Sequence, residues 1–134
     1  MKREVFDPVR KKNVALTPEE GVRQWLIAEL SQKYGYPVHM MCCEYSIDLN
    51  GVKYRGDLVL LNKKLKPVLI AECKAPGVKI SKKSFEQILR YNLSLKVNYI
   101  LVTNGQDTFM ARIDNSTGDY NFLPAIPGYE ELSQ

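Results

Sequence analysis

One histidine, His39, and three cysteines, Cys42, Cys43 and Cys73, are all the sequence has of the side chains that usually hold zinc. Zinc sites draw on several well-spaced His and Cys ligands, so most of that class is closed. A Ser-His-Asp hydrolase would need His39 as its only base, which argues against it. An odd cysteine count with one vicinal pair is a poor disulfide framework. Buried or half-buried thiols in a reducing cytosol are expected, with His39, Cys42 and Cys43 as packing residues rather than ligands. No apolar run approaches the ~20 residues that span a bilayer. Segment 1–12 is charged and lacks the hydrophobic stretch of a signal peptide. A cytoplasmic protein with no membrane partner is therefore expected. Lys and Arg number 19 against 15 Asp and Glu, a net charge of +4, which permits a polyanionic partner without demanding one. Repeats and low-complexity segments are missing. No aromatic-rich, base-stacking platform is evident, so sequence-specific reading of single strands is not supported.

The 134 residues, 45% hydrophobic and 25% charged, suit one domain over 1–134 with enough chain to bury a core. Residues 1–14 read as a basic arm or short strand, with Val5, Phe6 and Val9 as packing points. Thr17-Pro18-Glu19-Glu20 is a helix start: Thr17 as N-cap, Pro18 at the first helical position, Glu20 completing a capping box. Val22, Trp25, Leu26 and Leu30 follow at helical spacing. They predict a helix over 18–34 that stops at Gly35, with Pro37 beyond. Strand-like segments 39–49 and 52–61 flank Asn50-Gly51, a strong hairpin signal. A polar turn over 62–66 leads to a third strand, 67–74, apolar on both faces up to Glu72, as in the centre of a covered sheet. A loop spans 75–83. Ser84 looks like a second N-cap, with Gln87 three residues on, before a helix over 85–96 carrying Phe85, Ile88, Leu89 and Leu95 on one side. Strands at 99–102 and 108–113, a turn at 115–118 and an irregular tail from Pro124 complete the chain. A core of about 15–113 is expected, with the arm and tail peripheral. The order of elements implies an α/β fold in which a crossover helix returns to a mixed sheet.

Charges interrupt the apolar pattern at three places. Asp57 precedes Leu58-Val59-Leu60-Leu61, and Glu72 and Lys74 end the run Val68-Leu69-Ile70-Ala71. By strand alternation Val68, Ile70, Glu72 and Lys74 share a face, as do Asp57, Val59 and Leu61. A charge continuing an apolar face is partly desolvated unless it is paired or holds a metal. Glu72 and Lys74 can pair with each other, which leaves Asp57 over. In a hairpin closing across 62–66, paired residues have a constant index sum. Odd sums put Asp57 and Glu72 on one face, and even sums separate them unless a bulge intervenes. Turn chemistry does not settle the parity; the odd case is expected on functional grounds. Two facing carboxylates repel, and a divalent cation between them reverses that sign. Asp57 and Glu72 with the Cys73 carbonyl supply the oxygen ligands that Mg²⁺ takes. Lys74 would then orient water or neutralise charge on a phosphate. This is the equipment of metal-assisted phosphodiester hydrolysis.

The order helix, three strands, helix, strand, with Asp57 on the second strand and Glu72-Cys73-Lys74 on the third, resembles the PD-(D/E)XK nuclease superfamily and its restriction endonuclease-like αβββαβ core. Longer stretches look like the N-terminal nuclease domain of type I restriction enzyme R subunits: Thr17-Pro18-Glu19-Glu20 with Val22-Arg23-Gln24, Arg55 to Leu60, Glu72 to Pro76, Gln87 to Tyr91-Asn92, and Leu101 to Gly105. The resemblance covers about 15–113. It implies a DNA endonuclease dependent on Mg²⁺, with Mn²⁺ able to stand in. Asp57 and Glu72 would be the metal-binding acids and Lys74 the catalytic lysine. Gln87 and Tyr91, four apart on one helical face, would form a Gln-x-x-x-Tyr motif linked to activity and DNA contact. Lys79, Lys82 and Lys83 lie just past the site, where a DNA backbone could pass. Gly56 stands where the superfamily name has Pro. The implied partner is duplex DNA, with a homodimer or a larger restriction or helicase assembly around it. Cleavage driven by translocation is not expected from this chain alone, since it carries no motor domain. The alternative is a catalytically silent DNA- or partner-binding module of the same fold.

Overall fold

The computed structural model describes residues 3–134. The first helix, α1 (Pro18–Tyr34), is bounded as its sequence predicts. Thr17 Oγ1 accepts the Glu20 N–H at 3.1 Å, and Gly35, at φ +75°, donates its N–H to Leu30 O. The capping box is not completed, because the Glu20 side chain turns inward: its Oε1 accepts from Arg10 Nη2 at 2.5 Å and its Oε2 from Gln24 Nε2 at 3.2 Å. The arm ahead of α1 is a hairpin, β1 (Glu4–Asp7) against β2 (Lys12–Ala15). Val9 packs against the α1 side of the core, and charge ties the hairpin in further. Asp7 is buried and bound by Arg10 Nε and by the Val9 N–H at 2.7 Å, while Phe6 stays exposed.

A 3₁₀ turn, Val38–Met40, takes His39 out of the expected strand. Six strands then form one sheet in chain order: β3 (Met41–Leu49), β4 (Val52–Leu61), β5 (Pro67–Cys73), β6 (Tyr99–Thr103), β7 (Thr108–Ile113) and β8 (Tyr120–Phe122). Neighbours are antiparallel except β5 and β6, which are parallel and joined by α2 (Lys82–Leu95). A parallel pair needs such a crossover, and it makes β5 the inner strand that its apolar run implies. Asn50 and Gly51, at φ +52° and +83°, close the β3–β4 hairpin with the two left-handed residues a type I′ turn requires.

α2 starts earlier than expected. Ser81, not Ser84, is its N-cap: Ser81 Oγ accepts the Ser84 N–H at 3.2 Å, and Ser84 Oγ accepts the Ser81 N–H at 3.1 Å. Two serines three apart can each satisfy half of a capping box, and Lys82 and Lys83 therefore lie on the helix rather than in the loop. The tail is partly regular. Strand β8 extends the sheet, and a last turn of helix, α3 (Tyr129–Leu132), buries Tyr129 and Leu132. Tyr36 Oη donates to Pro127 O at 2.8 Å, and Tyr129 Oη to Leu61 O at 2.9 Å.

The core has two halves, one on each side of the sheet. Val22, Leu26 and Leu30 of α1 pack on Leu58, Leu60, Leu69, Ala71, Cys73 and Leu101. Phe85 and Ile88 of α2 pack on Val59, Ile70, Ile100, Val102 and Ala111. Trp25, expected in the α1 stripe, is exposed at its edge. No helix among the described residues is long and apolar enough to cross a membrane.

Candidate active site

Register decides whether the charged residues of β4 and β5 meet. Leu58 faces Ala71, Val59 faces Ile70 and Leu60 faces Leu69, but Leu61 faces Pro67, with the shift between Leu60 and Leu61. The turn itself closes in even parity: the Asn62 N–H donates to Lys66 O, and Asn62 Oδ1 accepts from Lys64 N and Lys66 N. The bulge then adds the one residue that makes the rest of the pairing odd. One step past Leu58 and Ala71, this register leads to Asp57 and Glu72.

The alternation expected for Asp57, Val59 and Leu61 does not run through Asp57. On β3, Cys43 packs toward α1, whereas Tyr45, two residues on, packs toward α2. The change of face occurs at Glu44, which has φ +55°. On β4, Leu58 packs toward α1, yet a Cβ on Gly56 would meet Ile70 and Val59 of the α2 side. The ladder between the two strands skips the Glu44–Asp57 pair. Both strands therefore crease at the same point, and Asp57 sits in the crease.

There its side chain reaches the end of β5. Asp57 Oδ2 accepts the backbone N–H of Cys73, the residue between Glu72 and Lys74, at 2.7 Å. Lys74 Nζ is 3.9 Å from Glu72 Oε1, and both are half-buried. The Asp57 carboxyl is pushed above the usual carboxylate range by burial, and the charge of Glu19 adds to that. The Cys73 N–H, Arg23 and Lys74 pull the other way. The Cys73 thiol is pushed far up by its own burial and lies in the core, so this residue can offer the site only its main chain. Cys43 is likewise pushed up, to about 11, chiefly by burial, and its Sγ–H donates to Asp7 Oδ2 at 3.7 Å. His39 sits in the 3₁₀ turn and Cys42 is half-buried.

Arg23 is the residue that reading the sequence for chemistry misses. Its Nη1 donates to Asp57 O at 3.4 Å, its Nε lies 3.3 Å from Glu20 Oε2, and its Nη2 lies 4.0 Å from Glu44 Oε1. Asp7, Arg10, Glu20 and Arg23 thus form a half-buried charge chain from the hairpin to the crease. The available signal was two opposite charges, Glu20 and Arg23, three apart on a helix with an apolar stripe.

A family profile described as the N terminus of the type I restriction enzyme R protein matches residues 18–127. The chain belongs to the type I restriction enzyme R protein N-terminal family. A solved fragment assigned to an HsdR subunit of a type I restriction enzyme from Vibrio vulnificus YJ016 superposes with a TM-score of 0.63 at 19% identity. The match covers 87% of this chain and 24% of that one, so the chain spans about a quarter of that relative's length. At this identity the likeness is one of fold. No curated protein matches the chain.

Within this R-protein N-terminal domain, the remaining predicted residues lie on or beside α2. Gln87 is exposed and Tyr91 half-buried, four apart on α2. Lys79, Lys82 and Lys83 are all exposed, and Lys82 Nζ lies 3.8 Å from Glu86 Oε1. Among the described residues, no group of three or more His, Cys, Asp and Glu side chains is arranged to hold a metal ion. The donors at the strand ends are two carboxylates and main-chain carbonyls. A hard-oxygen set of this kind fits Mg²⁺, which is commonly held by one or two carboxylates with the rest of its shell from water and phosphate.

Proposed function

We propose that this domain is a metal-dependent DNA nuclease that hydrolyses phosphodiester bonds. The observation that carries the reading is the 2.7 Å hydrogen bond from Cys73 N to Asp57 Oδ2, which binds the acid of β4 to the Glu72-Cys73-Lys74 end of β5. Asp57, Glu72 and the Cys73 carbonyl would hold Mg²⁺ or Mn²⁺. When bound, such an ion supplies positive charge to a phosphate oxygen and acidifies a water. Each residue of the chain has its own part. Burial works against the Asp57 carboxylate, which favours closing a cation over it. Glu72 holds the Lys74 ammonium at the strand end, where it can sit beside a scissile phosphate or orient a water. Lys79, Lys82 and Lys83 add phosphate-binding charge in the next segment, and Gln87 and Tyr91 would contact DNA from α2. The substrate is duplex DNA, met as a homodimer or within a larger restriction assembly, because one such site cuts one strand.

The test is supercoiled plasmid incubated with Mg²⁺ or Mn²⁺, with Lys74→Ala and Asp57→Ala run beside it. Nicking that falls about 100- to 1,000-fold in Lys74→Ala supports the reading. Equal nicking in all three preparations marks a contaminant and removes it. The Glu72–Lys74 ion pair also suits a silent DNA-binding module. That reading expects salt-dependent DNA binding with no cleavage and no rise in melting temperature on adding Mg²⁺.

A further inference from the structure

An apolar cavity of about 280 Å³ opens between the first turn of α2 and the β7–β8 edge of the sheet. Phe85 is buried at its floor, while Phe109 and Phe122 are 44% and 55% exposed. Phe85 lies 5.0 Å from Phe122 and 5.4 Å from Tyr120, centroid to centroid, and Phe109 lies 6.3 Å from Phe122. Four rings scattered through the sequence are thus gathered into one water-facing cluster. Exposed apolar surface of this kind, rimmed by polar residues, marks a binding site more often than chance.

Strand register joins this groove to the acid site. Glu72 is the neighbour of Val102, and Val102 of Phe109. Phe109 therefore stands two strands, roughly 10 Å, from Glu72. Phe122 lies one row back, beside Ala111. Lys82 lines the groove, and the exposed Lys79 and Lys83 flank its lining segment 80–82 in the chain. The Glu86 pairing with Lys82 is on the exposed surface and contributes little. An apolar floor alone would suit a protein segment as well. Lys82 at the groove, the lysines that flank it in the chain, and the short register path from Phe109 to Glu72 favour a chain of phosphates carrying flat apolar rings.

Resting on the nuclease reading for what passes these lysines, we propose that the groove is a stacking shelf for an unpaired base of a DNA strand held at the Asp57–Glu72 site. Aromatic rings accept any base face-on, so the shelf takes a frayed or overhanging nucleotide without reading its sequence.

The test is fluorescence anisotropy in EDTA, so that cleavage plays no part. The probes are a blunt duplex, the same duplex with a short 5′ or 3′ overhang, and overhangs with the bases removed but the phosphates kept. The full chain is expected to bind one based overhang roughly five- to a hundredfold tighter than its abasic twin. Phe109→Leu and Phe122→Leu keep apolar bulk, and an unchanged melting temperature certifies their fold. They should erase the preference, and Phe122→Trp should retain it. Equal affinity for based and abasic overhangs overturns the shelf. So does a leucine variant that changes the oligomeric state in light scattering while leaving the preference intact, which would assign the groove to a protein contact. If the native chain fails to cut plasmid with Mg²⁺ yet keeps the preference, the nuclease reading falls and the shelf stands.

Discussion

Gly56 precedes Asp57 at the crease, and adding one methyl group there tests the packing that shapes the site. A Cβ at this position would stand 2.9 Å from Ile70 Cδ1, 3.1 Å from Ile70 Cγ1 and 3.3 Å from Val59 Cγ2. The nearest atom is the tip of a side chain, but Ile70 and Val59 are fully buried in the α2 half of the core, so rotation has no space to use. Gly56 does not have a positive φ, and the penalty is therefore steric. Overpacking of this kind costs ~1–3 kcal/mol. The lower chain entropy of alanine returns about 0.4–1 kcal/mol. Gly56→Ala should then lose about 0.5–2 kcal/mol, a fall of roughly 2–7 °C in melting temperature for a chain of this size. Ile70→Val removes the clashing Cδ1 and alone costs about 0.5–1.5 kcal/mol. In the Gly56→Ala background it relieves the clash, so the double variant should be more stable than the sum of the singles by at least ~0.5 kcal/mol. Urea or thermal denaturation of the four proteins measures this cycle. Additivity within about 0.3 kcal/mol, or a melting temperature that rises in Gly56→Ala, would refute the packing argument.

Other outcomes follow from the charges and caps. Asp57→Asn should raise stability at pH 7 without metal by about 0.5–2 kcal/mol, because burial works against the charged carboxylate. Burial raises the folded-state pKa of Asp57 above 3.8, so stability is lost as pH rises through that pKa. The gap between native and variant melting temperatures should accordingly shrink as pH is lowered toward 4. A constant gap would contradict the burial argument. Arg10→Met takes the guanidinium from the buried carboxylate of Asp7, while Glu20 keeps Arg23 and Gln24, and should cost ~3–5 kcal/mol, read as a fall of more than about 10 °C. Bonds from Arg10 and Val9 hold the Asp7 carboxyl below its ordinary range despite burial. Its stabilisation is present above pH 3.8 and lost as pH falls through the depressed pKa, so the Arg10→Met deficit should narrow at acid pH. Ser81→Ala should cost about 1 kcal/mol by denaturation and more than Ser84→Ala; the reverse order would return the N-cap to Ser84.

Most of the fold was legible because local signals and tertiary demands agree. Thr17, Pro18 and Gly35 bound α1, and Asn50-Gly51 sets the hairpin. The apolar run of β5 marks an inner strand. The hairpin arm was less legible, because what fastens it is Asp7 and Arg10 meeting a glutamate on another element. No local period encodes such a contact. The start of α2 was ambiguous because Ser81 and Ser84 carry the same signature. The aromatic groove was invisible, since its rings come from α2, β7 and β8 and converge only through sheet order. At the acid site the residue types could be read, but not the geometry. The Asn62 turn closes in even parity, and one bulged residue, Val68, reverses it.

The crease explains why the site needs more than its three charged residues. In a regular ladder Asp57 would pair with Glu44 across β3 and β4, and its side chain would be committed to one packed face. Skipping that pair releases both residues, and it leaves a main-chain carbonyl that must find another donor. Arg23 is that donor, at 3.4 Å. It is held between Glu20 and Glu44, and Glu20 is held in turn by Arg10 of the hairpin. The irregularity that frees the Asp57 carboxylate to meet Cys73 N–H is thus stabilised by a charge chain that runs from α1 to the hairpin. A local rule is broken at one residue and repaired by four others, the pattern expected where sheet regularity and site chemistry conflict. The Thr17–Gln24 segment, which looks at first like no more than a well-capped helix start, therefore belongs to the architecture of the acid site.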